Sequence, residues 1–428
     1  MAPRTNIVAI ILCIFVAFGG ILFGYDTGTI SGVQENAYWQ RQFGSTVNAD
    51  GTVTISTSQK SMIVSILSVG TFFGALLASP FGDYLGRKWA LFASCWVFCV
   101  GVAMQTASTG IGLFTGGRVI AGLGVGLVSC LVPMYQAEAA PARIRGALIG
   151  CYQFAITIGI LVASVVNNAC KDYTSDAGWR WVISVQFMFA GLLAVGMIFL
   201  PDTPRSLIRK GKMEEATKSL ARLRSAPIDD PELLAELDEI RANLEYEKQV
   251  GEASYIDCFK GVSLRRSLLG IFIQMFQQCN PYLFCLTVVT GVNFIFYYGT
   301  SFFKISGFTD PFLSNMITTI VNVCMTLPGL YMVERLGRRK LLLYGAAVMT
   351  ISQFIVGIVG VTAASGRENS PKAALNAIIA FVCIFIAGFA ASWGPVAWIL
   401  TGELFTLKTR AKQMSMATAS NWYTLHSD

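Results

Sequence analysis

The chain has 428 residues, 54% of them hydrophobic and 13% charged, with a formal net charge of +7. So apolar a composition excludes a soluble globular domain and points to a bilayer. The positive charge does not argue for nucleic acid, because the basic residues alternate between loops instead of forming one patch.

Apolar runs of about 18–25 residues, the length that crosses roughly 30 Å of hydrocarbon, fall near 7–25, 62–79, 89–107, 111–135, 148–168 and 181–200. The first has only Arg4 before it and no small-residue cleavage site after it, so it reads as a span and not as a removed leader. Segment 201–267 is polar. Its stretch 212–249 is rich in Glu, Lys, Arg, Ala and Leu with acidic caps, which predicts short amphipathic helices. Further spans fall near 268–303, 311–333, 341–363 and 373–400, and an eleventh begins near 413 and runs to the end of the chain. The expectation is an all-α membrane protein with about ten complete transmembrane helices and a fragment of an eleventh. It divides into residues 1–200, a helical linker 201–267, and an incomplete second half 268–428.

Basic clusters at Arg87/Lys88, Arg143/Arg145, 201–267, Arg335/Arg338/Arg339/Lys340 and Lys408/Arg410/Lys412 fall on one side, while the opposite loops carry scattered Arg41, Lys60, Lys171, Arg180, Lys304, Arg367 and Lys372. The positive-inside rule puts the first side, with the N-terminus and the linker, in the cytoplasm of a multi-pass protein; the plasma membrane is the expected location. Eleven cysteines lie mostly inside spans without CxxC spacing and read as packing residues. A single histidine, His426, cannot make a metal or catalytic pair, so no metal, cofactor or enzymatic activity is expected. The chain has no GxxxxGK[ST] loop, so ATP coupling is unsupported.

The chain repeats itself once. "GDYLGRK" (82–88) follows the second span and "ERLGRRK" (334–340) the eighth. Duplicated bundles with a site between them at the midplane are how many secondary transporters are built. Together with "FGYDTGTISG" (23–32), "GGRVIAGLGVG" (116–126), "PMYQAEAAPARIRGAL" (133–148), "GWRW" (178–181), "PDTPRSL" (201–207), "TGVNFIFYY" (290–298), "VERLGRRK" (333–340) and "WGPVAWILTGELF" (393–405), these stretches run in order from the first span to the tenth. In them the chain resembles the sugar porters of the major facilitator superfamily, fungal monosaccharide transporters in particular. The resemblance implies two six-helix halves by ancestry, a monosaccharide substrate (hexose or pentose), protons as a second cargo and a lipid bilayer as surroundings. Nothing in the sequence sets the oligomeric state.

Three groups of residues carry chemistry. Asp26 and Arg118 lie within or at the edge of apolar spans, where a lone charge costs about 3 kcal/mol or more and normally faces a partner or water. An Asp beside an Arg stays ionised until the Arg withdraws or water arrives, which is the logic of a proton-coupling switch. The resemblance assigns the pair that role in symporters; a fixed buried ion pair is the alternative. By the same resemblance Gln153, Gln277, Gln278, Asn293, Asn322, Trp398 and Asn421 form the substrate site. Amides both donate and accept without charge, as sugar hydroxyls require, and Trp offers a flat apolar face. Each alone could instead be an interhelical hydrogen bond. Where some family members have a Glu eight residues before the Trp, this chain has Ala390. The third group is Asp83, Arg87, Glu138, Arg145, Glu334, Arg338, Glu403 and Arg410 at the cytoplasmic ends. It reads either as topology-setting surface charge or as a latch of salt bridges between the halves.

One stretch departs from the family. There Gln-Gln is followed by the Asn after five residues; here Gln278 and Asn293 are fifteen apart (293 − 278). Ten extra helical residues add about 15 Å and turn the face by about 80°. Residues 279–289, with Asn280 and Pro281, therefore either bulge aside or split the site. A proton-driven monosaccharide transporter is the leading reading. A facilitator with the same cavity, a sugar sensor (disfavoured for want of a long cytoplasmic tail) and an inactive or regulatory form compete with it.

Overall fold

The computed structural model describes residues 7–47, 53–141, 144–173, 175–249, 254–278, 292–364, 372–406 and 408–426. Helices dominate; one antiparallel pair of two-residue strands, Thr46–Val47 and Val53–Thr54, is the sole sheet among the described residues. The first set of helices is α1 (Ile7–Ala17), α2 (Gly19–Val33), α3 (Ala37–Phe43), α4 (Thr57–Leu85), α5 (Arg87–Thr106), α6 (Ile111–Ala139), α7 (Arg145–Cys170) and α8 (Ala177–Phe199). Short helices α9 (Pro204–Arg209), α10 (Met213–Arg224) and α11 (Pro231–Gln249) follow. The second set is α12 (Gly261–Gln278), α13 (Val292–Ile305), α14 (Pro311–Leu336), α15 (Arg338–Val359), α16 (Lys372–Ala391), α17 (Trp393–Leu404) and α18 (Arg410–His426). Nine helical stretches among the described residues are long and apolar enough to cross a membrane.

Three boundaries differ from the hydropathy reading. The first span, expected near 7–25, runs as one apolar stretch Ile7–Val33. Its second part holds Gly, Thr and Ser, which depress hydropathy, yet from Gly19 to Val33 all but one residue is buried. The run near 268–303 is two helices, α12 and α13; the extra residues 279–289 and their neighbours up to 291 lie outside the described residues. The tenth span breaks at Ser392, whose backbone (φ −132°, ψ −83°) separates α16 from α17. Pro395, early in α17, lacks the N–H that would have carried the hydrogen-bond ladder through the break.

Within the first set α6 packs against α4 and α5, α2 against α7, and α5 against α8; within the second, α16 packs against α14 and α15, and α12 against α18. The sets meet where α2 touches α13, α4 touches α18, and α7 touches α14 and α17. The internal repeat is visible in the backbone. Gly86 (φ 87°, ψ 158°) and Gly337 (φ 77°, ψ 157°) make the same turn between consecutive helices, in a region that a side chain disfavours. Helices α9–α11 share a small apolar core that includes Leu207, Leu220, Leu237 and Leu244. They are fastened to one end of the first set, where Tyr135 donates to the Pro201 carbonyl (2.8 Å) and Arg224 to the Ala139 carbonyl (3.0 Å).

Candidate functional site

Between the two sets lies a cavity of about 40 Å³. That is room for about three waters. Its walls come from α2 (Phe23, Thr27), α7 (Gln153, Ile156, Ile160), α12 (Gln277, Gln278), α13 (Val292, Asn293, Phe296, Tyr297), α16 (Phe389), α17 (Trp398) and α18 (Asn421, Trp422). Six of the seven substrate-site candidates are wall residues. Asn322 is not; it is buried on α14, with both amide atoms unpartnered among the described residues.

The structure decides between the two fates open to the Gln278–Asn293 pair. Asn293 Nδ2 donates to the Gln278 carbonyl at 3.3 Å, and both side chains line the cavity. The site is not split: fifteen residues of one continuous helix would set the two about 22 Å apart, and they are in contact. Polar contacts then converge. Gln277 Nε2 donates to the Trp393 and Gly394 carbonyls (3.1 and 3.0 Å), using acceptors at the α16–α17 break. Asn421 Nδ2 donates to Gln274 Oε1 (2.7 Å) and Gln277 Oε1 (2.8 Å), while its Oδ1 accepts from Gln278 Nε2 (3.2 Å). Gln278 Oε1 and Trp422 Nε1 are buried without a partner among the described residues, an acceptor and a donor on the wall. Trp398 stands edge-on to Tyr152 with ring centroids 5.2 Å apart, and Phe23 packs on Trp422 at 4.8 Å. The wall is therefore aromatic and apolar with a few uncharged polar atoms turned inward, suited to a neutral polyhydroxylated molecule.

Asp26 and Arg118 meet as the sequence led one to expect. Arg118 Nη1 is 3.3 Å from Asp26 Oδ1, and each side chain is 1% exposed. Gly24, two residues earlier, lets α2 touch α7, since a Cβ there would lie 2.0 Å from the Ile156 carbonyl oxygen. The pair is under-satisfied: Asp26 Oδ2, Arg118 Nε and Arg118 Nη2 have no partner among the described residues. Gln186, buried on α8, lies beside the Asp26 carboxylate. Buried charges normally gather more hydrogen bonds than this.

The charged residues at the linker end pair differently from a latch between halves. Arg87 holds Asp83 (2.7 Å) and Glu138 (2.9 Å), all in the first set; Arg338 holds Glu403 (2.9 Å), both in the second. Arg209 of α9 also binds Asp83, and Thr203 donates to Glu138 at 2.5 Å, so these carboxylates also dock the linker. Arg145 and Arg410 approach each other across the two sets as like charges, each with its Nε buried and unpartnered among the described residues. Glu334 is exposed. In this conformation the expected salt bridges between halves are not made by these residues; Asp83, Glu138 and Glu403 are taken by arginines of their own set.

The ion pairs that do join the sets lie at the opposite end, and their lysines are ones that the sequence reading left as scattered loop charges. Glu35, just past α2, binds Lys304 at the end of α13 (2.8 Å), Lys60 of α4 (2.5 Å) and the Ser301 hydroxyl (2.5 Å). Lys171 binds Asp310 (2.6 Å), and Ser31 meets Thr300 (3.1 Å). This end is closed. Burial alone would raise the Glu35 carboxyl, but hydrogen bonds from Lys304, Lys60 and Ser301 hold it below its ordinary value of 4.5. A depressed carboxyl stabilises the closed end above its ordinary value, and that contribution is lost as pH falls through the lowered one. Spin labels on Arg41 and Leu313, both exposed, are expected to move apart below about pH 4.5, and in Glu35→Gln already at pH 7. An unchanged distance in the variant would remove Glu35 from the closure.

Sequence reasoning missed Gln274, Thr27, Tyr297 and Trp422. For Gln274 a signal existed: 274, 277 and 278 stand at i, i+3 and i+4, one face of a helix.

Residues 12–424 match the family model described as "Sugar (and other) transporter". The "Major facilitator-type transporter ecdD" of Aspergillus rugulosus is 50% identical over 97% of this chain and 76% of its own length. The "High glucose sensor RGT2" of Saccharomyces cerevisiae is 43% identical over 98% of this chain and 53% of its own. Among solved structures, the proton:xylose symporter XylE of E. coli, bound to 6-bromo-6-deoxy-D-glucose, superposes with a TM-score of 0.81 at 27% identity, covering 99% of this chain and 88% of that one.

Proposed function

The chain belongs to the sugar transporter family of the major facilitator superfamily, and on that premise we propose that it carries a monosaccharide across a membrane by alternating access, coupled to one proton through Asp26 and Arg118. One observation carries the reading: a cavity between two sets of helices, walled by amides and indoles, with Gln278 Oε1 and Trp422 Nε1 unpartnered among the described residues. Sugar hydroxyls donate and accept together and would satisfy those atoms. The similarity to a symporter bound to a glucose derivative supports the same cargo class.

On this reading the linker end faces the cytoplasm of a cell whose plasma membrane holds the chain, as its basic residues favour. The state described is then closed to the outside by Glu35, Lys304, Lys171 and Asp310. When the outer pairs part, Arg145 and Arg410 would take carboxylates from the other half, and the latch would form at the inner end. The reading also treats 1–200 and 268–428 as the two moving bodies, with 201–267 riding on the first.

Uptake of labelled glucose and xylose by transporter-null cells expressing the chain tests the proposal. Gln278→Ala, which removes the inward-facing acceptor, should weaken apparent affinity about two- to twelvefold, the range for one uncharged hydrogen bond, with surface expression unchanged. If the variant fails to reach the membrane, Gln278 is structural. A sensor, the reading that the relative RGT2 favours, would bind sugar yet show no uptake by the unaltered chain.

A further inference from the structure

A second recess lies away from the cavity, at the end that carries α9–α11, and offers about 350 Å³ to water. It sits where two spanning helices stop: Lys88 and Trp89 open α5, and Pro201 follows α8. Five cations, Lys88, Lys210, Lys212, Lys218 and Arg222, line it against two carboxylates, Asp202 and Glu215, an excess of three positive charges (5 − 2).

The carboxylates are already engaged. Asp202 accepts from the backbone N–H groups of Lys88 (3.2 Å) and Thr203 (2.9 Å), and Glu215 pairs with Lys212 (2.9 Å). Lys88 and Lys210 donate to the Ile198 and Leu85 carbonyls (2.8 and 2.6 Å). Lys218 and Arg222 remain. They are exposed, four residues apart on α10 and so repel each other, with no ion pair to a described carboxylate. Beside the recess lies apolar surface where the spans end: Trp89 is 48% exposed and Phe199 68%. Aromatic side chains in that position mark the headgroup level of a bilayer, and basic clusters next to a span attract anionic lipid.

We infer that this recess binds the phosphorylated headgroup of a phosphoinositide-class lipid, its phosphates on Lys218 and Arg222 and its acyl chains along Trp89 and Phe199. A serine headgroup fits less well, because its own ammonium would face the lysines. A headgroup with several phosphates answers an excess of three positive charges.

The test titrates the full chain, in neutral detergent, with dioctanoyl phosphatidylinositol 4,5-bisphosphate, read by thermophoresis. Lys218→Ala with Arg222→Ala should weaken binding roughly 25-fold, about fivefold per side chain, with elution profile and Tm unchanged. A control that removes two exposed cations elsewhere at this end, Arg241→Ala with Lys340→Ala, should change it less than twofold. An equal loss in the control would reduce the effect to general charge and overturn the inference. So would equal binding of dioctanoyl phosphatidylserine, or of inositol trisphosphate, which lacks the lipid anchor. Sugar uptake plays no part in the readout, so the inference stands or falls apart from the transport reading.

Discussion

Asp26→Asn is expected to abolish uphill accumulation of sugar while leaving sugar exchange across the membrane intact. The carboxylate is fully buried and held by one contact of 3.3 Å to Arg118, with its second oxygen unpartnered among the described residues. An ionised acid so placed is costly once its arginine moves. Protonation removes that cost, so the sugar-loaded carrier crosses with a proton on Asp26, releases both on the far side, and returns empty with the ionised Asp26 paired again to Arg118. Asn keeps size and hydrogen bonding but cannot titrate. In proteoliposomes with a one-unit pH gradient and no membrane potential, one proton per sugar supports up to about tenfold accumulation; the unaltered chain should approach that and the variant should stop at equality. Counterflow, which needs no net proton movement, should persist in both. If uptake by the unaltered chain ignores external pH and membrane potential, symport gives way to facilitation and the pair becomes a fixed part of the gate.

Spans were legible because a bilayer leaves no other place for twenty apolar residues in a row. Hydropathy failed where packing, not lipid, covers the helix. The Gly, Thr and Ser of α2 end the apolar run on paper at about residue 25, yet these residues lie against α7 and α13 and the helix continues to Val33. The break at Ser392 was hidden for a related reason: the residues around it are apolar, and only Pro395 hints that the ladder stops.

In the site, the amides could be named because residue type and family motif agree, and the structure brings five of them to one wall with Trp398. The fifteen-residue gap misled only if it was read as one continuous helix; Gln278 and Asn293 are in contact. The outer cluster was out of reach of the sequence. Glu35 finds Lys60 twenty-five residues away and Lys304 269 away, and no local pattern links charges at such distances. The latch at the linker end was read from the family resemblance and belongs to another conformation than the one described. Ion pairs, however, go to the nearest partner, which at that end is a residue of the same set.

Asn421→Leu should cost more than any single glutamine at the cavity. Asn421 is the hub of the amide cluster: its Nδ2 serves Gln274 Oε1 and Gln277 Oε1, and its Oδ1 receives Gln278 Nε2, at 2.7, 2.8 and 3.2 Å. Leu keeps the branched shape and removes these three bonds. At about 0.5–1.5 kcal/mol each, the loss is roughly 1.5–4.5 kcal/mol, or between tenfold and a thousandfold in affinity if it falls on substrate binding. It should fall there because the hub sets which way each amide points. With Asn421 in place, Gln278 Oε1 is turned into the cavity as an acceptor; without it, the amides rotate toward one another and the arrangement complementary to the substrate is lost. Asn421→Asp offers a sharper comparison. It retains the acceptor for Gln278 but sets an oxygen against Gln274 Oε1 and Gln277 Oε1, so affinity should fall at least as far. Calorimetric titration of sugar into purified protein, alongside Tm, reads both effects. Unchanged affinity with a Tm lowered by several degrees would make Asn421 a packing residue between α12 and α18 and leave substrate recognition to the remaining wall.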